Sequence, residues 1–171
     1  DHILDKGPWG TPYHLEILKS MFKERRFVIL VRPVLECLAS FIKAKRDNKD
    51  IELFCDSLMD PDHGILGKNL WAINHLIKSK EKHIVITYED FVTHPQKELN
   101  RIFRFLKLKP EKLDLNNLKQ YTFDGMSYDD KNVEGPFHSI DVDKVKQINY
   151  KVEDYLPKKI IDRYKNARFI L

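Results

Sequence analysis

The chain has 171 residues, of which 42% are hydrophobic and 33% are charged, so it can bury one substantial core and is not disordered as a whole. Its formal net charge of +4 suits an anionic ligand but lacks the dense basic surface of a dedicated nucleic-acid binder. No apolar run is long enough to span a bilayer. The two cysteines, Cys37 and Cys55, have no paired spacing, which predicts reduced thiols and a cytoplasmic protein.

The first half of the chain predicts two helices with a buried strand between them, and then a third helix. Thr11 and Pro12 are typical of a helix start, and the apolar spacing predicts a helix over about residues 12–23. The run FVILV at residues 27–31 is short, continuous and rich in β-branched residues, which predicts a strand covered on both faces. Pro33 then starts the second helix, and the apolar spacing of residues 65–80 predicts the third.

The second half continues the alternation of strands and helices. HIVITYEDF at residues 83–91 predicts a second buried strand, residues 94–108 predict a helix, and residues 156–166 predict a last short helix. Residues 121–150 are polar and lack sustained periodicity, and a loop of this length inside a compact domain is typical of a binding lid. The whole pattern predicts a single α/β domain over residues 1–171, built on a parallel sheet.

Arg32 directly follows the first predicted strand. In open parallel sheets, ligands bind beyond the carboxyl ends of the strands, and a guanidinium there can bind a phosphate through two parallel hydrogen bonds. Ser40 lies on the same face of the following helix, about two turns after Pro33. One anion could therefore be held between Arg32 and Ser40. The spacing equally allows a structural pair between Arg32 and Glu36, with Ser40 as a small residue in a crowded helix.

Three segments of the chain carry a resemblance to a known family: ILDKGPWGTP at residues 3–12, FVILVRPVLECLASFIKAK at 27–45, and HIVITYEDFVTHPQKELNRIFRFLKL at 83–108. They resemble the sulfotransferase family, whose members transfer a sulfuryl group from 3′-phosphoadenosine 5′-phosphosulfate (PAPS). The first segment is most similar to sulfotransferase-like proteins of marine bacteria and their phages. The resemblance implies a three-layer α/β/α fold with a parallel sheet, of the P-loop-like sulfotransferase type.

The resemblance also implies roles for four residues. Arg32 and Ser40 have the spacing of a family arginine and serine that bind the 3′-phosphate of PAPS, and Tyr88 stands in the place of a tyrosine near the nucleotide pocket. Lys6 matches a lysine beside the transferred group, where a cation stabilises the charge that develops on the leaving oxygen. Apart from the resemblance, Tyr88 could equally be a core tyrosine and Lys6 a solvated lysine in a turn.

The implied reaction is sulfuryl transfer from PAPS to a hydroxyl or amine of a small molecule, glycan or peptide, with no metal, nucleic acid or membrane as partner. The acceptor hydroxyl needs a base. Asp5 and His14 are the candidates nearest to Lys6 in the sequence, and the base stays unassigned. The predicted lid offers five residues that could cover the 3′-phosphate: Lys131, His138, Ser139, Lys144 and Lys146.

The sequence departs from the family pattern at the phosphosulfate end of the donor. Sulfotransferases hold the 5′-phosphosulfate in a Gly/Ser/Thr-rich loop between the first strand and the first helix. This sequence contains no such loop, which predicts that the first βα unit is missing from the chain. An alternative function therefore stays open: a non-catalytic module, either a fragment or a degenerate homologue, that binds an adenosine bisphosphate or a protein partner.

Overall fold

A computed structural model describes residues 3–7, 10–44, 50–119, 122–127 and 144–170. The α-helices among these residues are α1 (Pro12–Met21), α2 (Val34–Ala44), α3 (Ile51–Met59), α4 (Ile65–Lys78), α5 (Tyr88–Thr93), α6 (Pro95–Leu106) and α7 (Lys158–Tyr164), with a short 3-10 helix at Val152–Asp154. The strands are β1 (Phe27–Val31), β2 (His83–Thr87), β3 (Thr122–Phe123) and β4 (Met126–Ser127).

Strands β1 and β2 form a two-stranded parallel sheet, and helices α2 to α4 connect them. The N–H of Phe27, the first residue of β1, donates to the carbonyl of Lys82 at 2.9 Å, just before β2 begins. Both strands therefore start at the same end of the sheet. The prediction of an α/β protein with parallel strands is confirmed.

Only one face of β1 is covered by the described residues. Ile29 and Val31 are buried in a cluster with Leu15 of α1 and Leu76 of α4, whereas the two alternate side chains of β1, Val28 and Leu30, are 40% and 57% exposed. Successive side chains of a strand point to opposite faces, and α1 and α4 pack against one of them. The predicted burial on both faces is therefore wrong for the part of the chain that is described.

The larger core lies between α2, α3 and α7. Leu38 and Ala39 of α2, Cys55 of α3 and Ile160 of α7 are fully buried there. This packing fixes the orientation of α2 and leaves another face of the helix for polar side chains. Cys37 is half-buried in α2, and no disulfide joins the two cysteines.

The second predicted strand is shorter than the sequence suggested. β2 ends at Thr87, and residues 88–91 belong to α5 instead of the strand. The Thr87 hydroxyl accepts a hydrogen bond from the Asp90 N–H at 3.1 Å and donates to the Asp90 carboxylate at 2.7 Å. This capping arrangement stops the strand and starts the helix.

Part of the predicted lid has regular structure. β3 and β4 form an antiparallel hairpin, in which Asp124 and Gly125 both have positive φ angles, 53° and 77°. Such a turn matches the twist of a two-residue hairpin, and Asp-Gly is a preferred sequence for it. Residues 121 and 128–143 of the segment lie outside the described residues, so the lid stays a prediction.

The chain divides into two compact units. The first comprises residues 1–86 with 149–171 and contains α1 to α4, β1 and α7; the second comprises residues 87–148 and contains α5, α6 and the hairpin. The single-domain assignment stays a prediction. Within the described residues, no helix combines the length and the apolar character that crossing a membrane would require.

Candidate anion-binding site

A stripe of polar residues follows one face of α2. Arg32, Glu36, Ser40 and Lys43 are separated by four, four and three residues, which is the spacing of neighbours on a helix surface. Arg32 lies two residues before α2 begins, in the segment that directly follows the carboxyl end of β1. The sheet therefore positions the first member of this stripe, and the buried packing of α2 positions the others.

Arg32 is held against the helix by an ion pair. Its Nε donates to the carboxylate of Glu36 at 2.9 Å, and only 17% of the Arg32 side chain is exposed. The structural pair that the sequence allowed is therefore present. It holds the guanidinium beside Glu36, which lies between Arg32 and Ser40 in the stripe.

One tyrosine contacts three members of the α2 stripe. The Tyr150 hydroxyl lies 3.2 Å from Ser40 Oγ, within hydrogen-bond distance. The guanidinium carbon of Arg32 lies 4.9 Å from the centre of the Tyr150 ring, and the Lys43 Nζ lies 5.5 Å from it. Both distances are those of cation–π contacts. Arg32 and Ser40 are thus brought to the same aromatic side chain.

Tyr150 is itself held in place by the core. It packs against the cluster of α2, α3 and α7, and its ring meets the ring of Tyr155 edge-on, with 5.6 Å between centroids and 83° between planes. The chain then enters the short 3-10 helix and buries Leu156 at 3% exposure. A ring fixed in this way can act as a rigid support for the cations beside it.

The stripe has the chemistry of an anion site. A guanidinium, an ammonium and a hydroxyl surround one ring, and these are groups that bind phosphate and sulfate oxygens. Cys37, which lies between Arg32 and Ser40 in sequence, does not add a nucleophile: burial raises the pKa of its thiol, although the Arg32 charge lowers it in part. Its Sγ donates weakly to the Arg32 carbonyl at 3.8 Å.

Lys6 lies apart from this stripe in its contacts. It is exposed in the irregular segment 3–7, and its backbone N–H donates to the Asp5 carboxylate at 2.9 Å. Within the part of the chain that the structure describes, Lys6 forms no hydrogen bond or ion pair with Arg32 or Ser40. His14 lies in the first turn of α1, where its backbone N–H donates to the capping Thr11 hydroxyl at 3.3 Å.

Tyr88 belongs to the second compact unit. It is the first residue of α5, and its hydroxyl accepts a hydrogen bond from the backbone N–H of Ile148 at 3.0 Å. Tyr88 therefore holds the C-terminal end of the predicted lid segment within that unit. Its predicted place in an adenosine pocket is not tested by this contact.

The lid residues proposed for the 3′-phosphate are only partly described. Lys131, His138 and Ser139 lie outside the described residues, whereas Lys144 and Lys146 are exposed in an irregular segment. Among the residues with described positions, no cluster of His, Cys, Asp or Glu side chains could hold a metal ion.

Two members of the site were not identified from the sequence. Lys43 lies three residues after Ser40, so the helical spacing alone could have indicated it. Tyr150 is 110 residues away from Ser40, and no local pattern connects the two positions.

The fold and the stripe define a mixed α/β protein with a polar, cation-bearing helix face after its first strand. A family model described as the sulfotransferase family matches residues 1–112, about two thirds of the chain. The chain belongs to the sulfotransferase family, and its general activity is that of a transferase of sulfuryl groups. No curated protein sequence matches the chain. The matched region contains Arg32, Ser40 and Lys43, and Tyr150 lies beyond it.

Proposed function

We propose that this chain uses PAPS as its donor and transfers the sulfuryl group to a hydroxyl or amine acceptor. The observation that carries the proposal is the shared contact of Arg32 and Ser40 with Tyr150, in a chain that belongs to the sulfotransferase family. A cation and a hydroxyl directed to one place, beyond the carboxyl end of a parallel strand, suit a phosphate group of a nucleotide.

In this proposal, Arg32 and Ser40 bind the 3′-phosphate of the donor. The Arg32–Glu36 ion pair supports the role, because it keeps the long arginine side chain along α2 and so reduces the conformational freedom lost on binding. Tyr88 lines the adenosine pocket.

The chemical step needs little covalent help from the protein. The acceptor oxygen or nitrogen attacks sulfur, the bond between sulfur and the bridging oxygen of the 5′-phosphate breaks, and adenosine 3′,5′-bisphosphate leaves. The acceptor loses its proton to a base, for which Asp5 and His14 are candidates. Lys6 stabilises the negative charge that develops on the bridging oxygen, and its exposed position allows the side chain to reach a bound substrate.

The three-layer α/β/α arrangement of the family is also part of the proposal. The exposed Val28 and Leu30 side chains on the open face of β1 support it, because a further layer of helix would remove them from water.

Calorimetry with two nucleotides tests the donor assignment. Adenosine 3′,5′-bisphosphate differs from 5′-AMP only by the 3′-phosphate, so the ratio of their dissociation constants isolates the binding of that group. The chain should prefer the bisphosphate, and Arg32→Ala should weaken its binding about 10- to 100-fold while leaving 5′-AMP unchanged. Arg26→Ala is the matched control, because Arg26 is an arginine before the start of β1, at the opposite end of the strand.

Equal binding of the two nucleotides by the unmodified chain would contradict the proposal. If the bisphosphate is preferred but no sulfuryl transfer from PAPS occurs with any acceptor, the non-catalytic alternative is the correct one.

A further inference from the structure

Two residues that lie beside Arg32 and Ser40, Lys43 of the α2 stripe and Tyr150, have no role in the proposed function. Lys43 and Tyr150 both belong to the same group of contacts as Arg32 and Ser40. Neither residue is explained by packing alone: Lys43 is exposed, and the Tyr150 hydroxyl is directed to Ser40 rather than to water alone.

The α2 stripe contains two cations, Arg32 and Lys43, and one carboxylate, Glu36. Glu36 offsets the charge of Arg32, because the two groups form an ion pair at 2.9 Å. A phosphate monoester carries a charge of about −1.5 to −2 at neutral pH. Arg32 and Glu36 together would leave most of this charge uncompensated. Lys43 restores an excess of positive charge among the described members of the stripe.

Tyr150 contacts three members of the α2 stripe. Its ring is in contact with the cations of Arg32 and Lys43, and its hydroxyl reaches Ser40 Oγ. These contacts gather three flexible side chains around one rigid group before any ligand arrives. Gathering the groups in advance lowers the entropy cost of binding.

We propose that Lys43 and Tyr150 complete the site for the 3′-phosphate: Lys43 binds the phosphate as a second cation, and Tyr150 is a positioning residue that directs Arg32 and Ser40 to it. This inference rests on the proposed function of the same site. The ligand class is a nucleotide with a 3′-phosphate, and the phosphate is recognised by two cations and a hydroxyl.

Lys43→Gln tests the second cation. The variant should bind adenosine 3′,5′-bisphosphate about tenfold more weakly and 5′-AMP equally well. The tenfold difference in bisphosphate affinity between the variant and the unmodified chain should shrink in 1 M salt, because Lys43 is exposed and salt screens its charge. Lys68→Gln, an exposed lysine of α4, is the matched control and should bind like the unmodified chain. Unchanged binding of the bisphosphate by Lys43→Gln would overturn the role of Lys43.

Two substitutions separate the hydroxyl of Tyr150 from its ring. Tyr150→Phe keeps the support for the cations and loses the bond to Ser40, so it should weaken bisphosphate binding about three- to fivefold. Tyr150→Leu removes the ring as well and should weaken bisphosphate binding tenfold or more. Tyr13→Phe, on an exposed tyrosine of α1, is the control.

The affinity for 5′-AMP distinguishes positioning from folding. If the role of Tyr150 is purely structural, its substitution should weaken the binding of both nucleotides. If Tyr150 is a positioning residue, its substitution should weaken the binding of the bisphosphate alone. Tighter binding by Tyr150→Leu would also contradict the inference, because it would mean that the ring occupies the phosphate position. If the unmodified chain prefers the bisphosphate and depends on Arg32, but the Lys43 and Tyr150 variants keep that preference, this inference fails and the proposed function stands.

Discussion

The hydrogen bond between the Ser40 and Tyr150 hydroxyls should be measurable as a coupling free energy in unfolding. Ser40→Ala and Tyr150→Phe each remove one of the two hydroxyls and leave the other without this partner. The oxygens are 3.2 Å apart, and both residues are half-buried. A neutral hydrogen bond in such a place contributes about 0.5–1.5 kcal/mol to the free energy of unfolding.

A double-mutant cycle isolates this contribution. The free energy of unfolding is measured by urea titration for the unmodified chain, the two single variants and the double variant. We expect the double variant to be less destabilised than the sum of the single variants by about 1 kcal/mol. The urea dependence should stay constant across the four proteins, because none of the changes alters the surface exposed on unfolding.

A control cycle combines Ser40→Ala with Tyr13→Phe. Tyr13 is 77% exposed on α1, so this pair should show no coupling beyond the usual error of about 0.3–0.5 kcal/mol. A Ser40–Tyr150 coupling no larger than that of the control would refute the argument that Tyr150 brings the α2 stripe together.

Two further predictions concern the contacts of α3 with α4 and α7. Gly67→Ala should destabilise the chain by about 1–2 kcal/mol in urea unfolding. The Cβ atom of the new alanine would press on backbone carbonyl oxygens at the end of α3. This clash outweighs the gain in helix propensity, which is at most about 1 kcal/mol. Lys68→Ala should be nearly neutral by comparison. Hydrogen bonds from Arg163 and Tyr164 lower the pKa of Asp56 in the folded state. They therefore stabilise the folded chain at a pH above the pKa that Asp56 has in the unfolded chain, and this stabilisation is lost as the pH falls below about 4. The free energy of unfolding should differ between the unmodified chain and Asp56→Asn by at most about 1 kcal/mol, because the carboxylate is exposed. This difference should vanish in acid. A difference that grows in acid would contradict the assignment.

The regular elements of the chain follow from local patterns. Continuous apolar runs predicted β1 and the start of β2, and helical spacing of apolar residues, with proline at four of the helix starts, predicted helices α1, α2, α4, α6 and α7 to within a few residues. α3 was not predicted, although Ile51, Phe54, Cys55 and Leu58 have helical spacing. The capping pattern of Thr87 and Asp90 likewise indicated the end of β2, but the apolar run before it favoured a longer strand.

The site was predictable only where it is local. Arg32 and Ser40 lie eight residues apart, so helical geometry alone places them on one face, and their predicted roles came from the family resemblance. Tyr150 could not be predicted, because its position depends on the packing of the C-terminal segment against α2. The exposed face of β1 was missed for a similar reason: an apolar sequence does not specify which neighbours cover it.

A crystal structure of the chain with adenosine 3′,5′-bisphosphate would test the central claim most directly. We predict that oxygens of the 3′-phosphate lie within about 2.7–3.2 Å of both the Arg32 guanidinium and Ser40 Oγ, with Lys43 on the same phosphate. The claim is contradicted if the 3′-phosphate is bound by other residues, or if Arg32 and Ser40 point into separate surroundings in the complex.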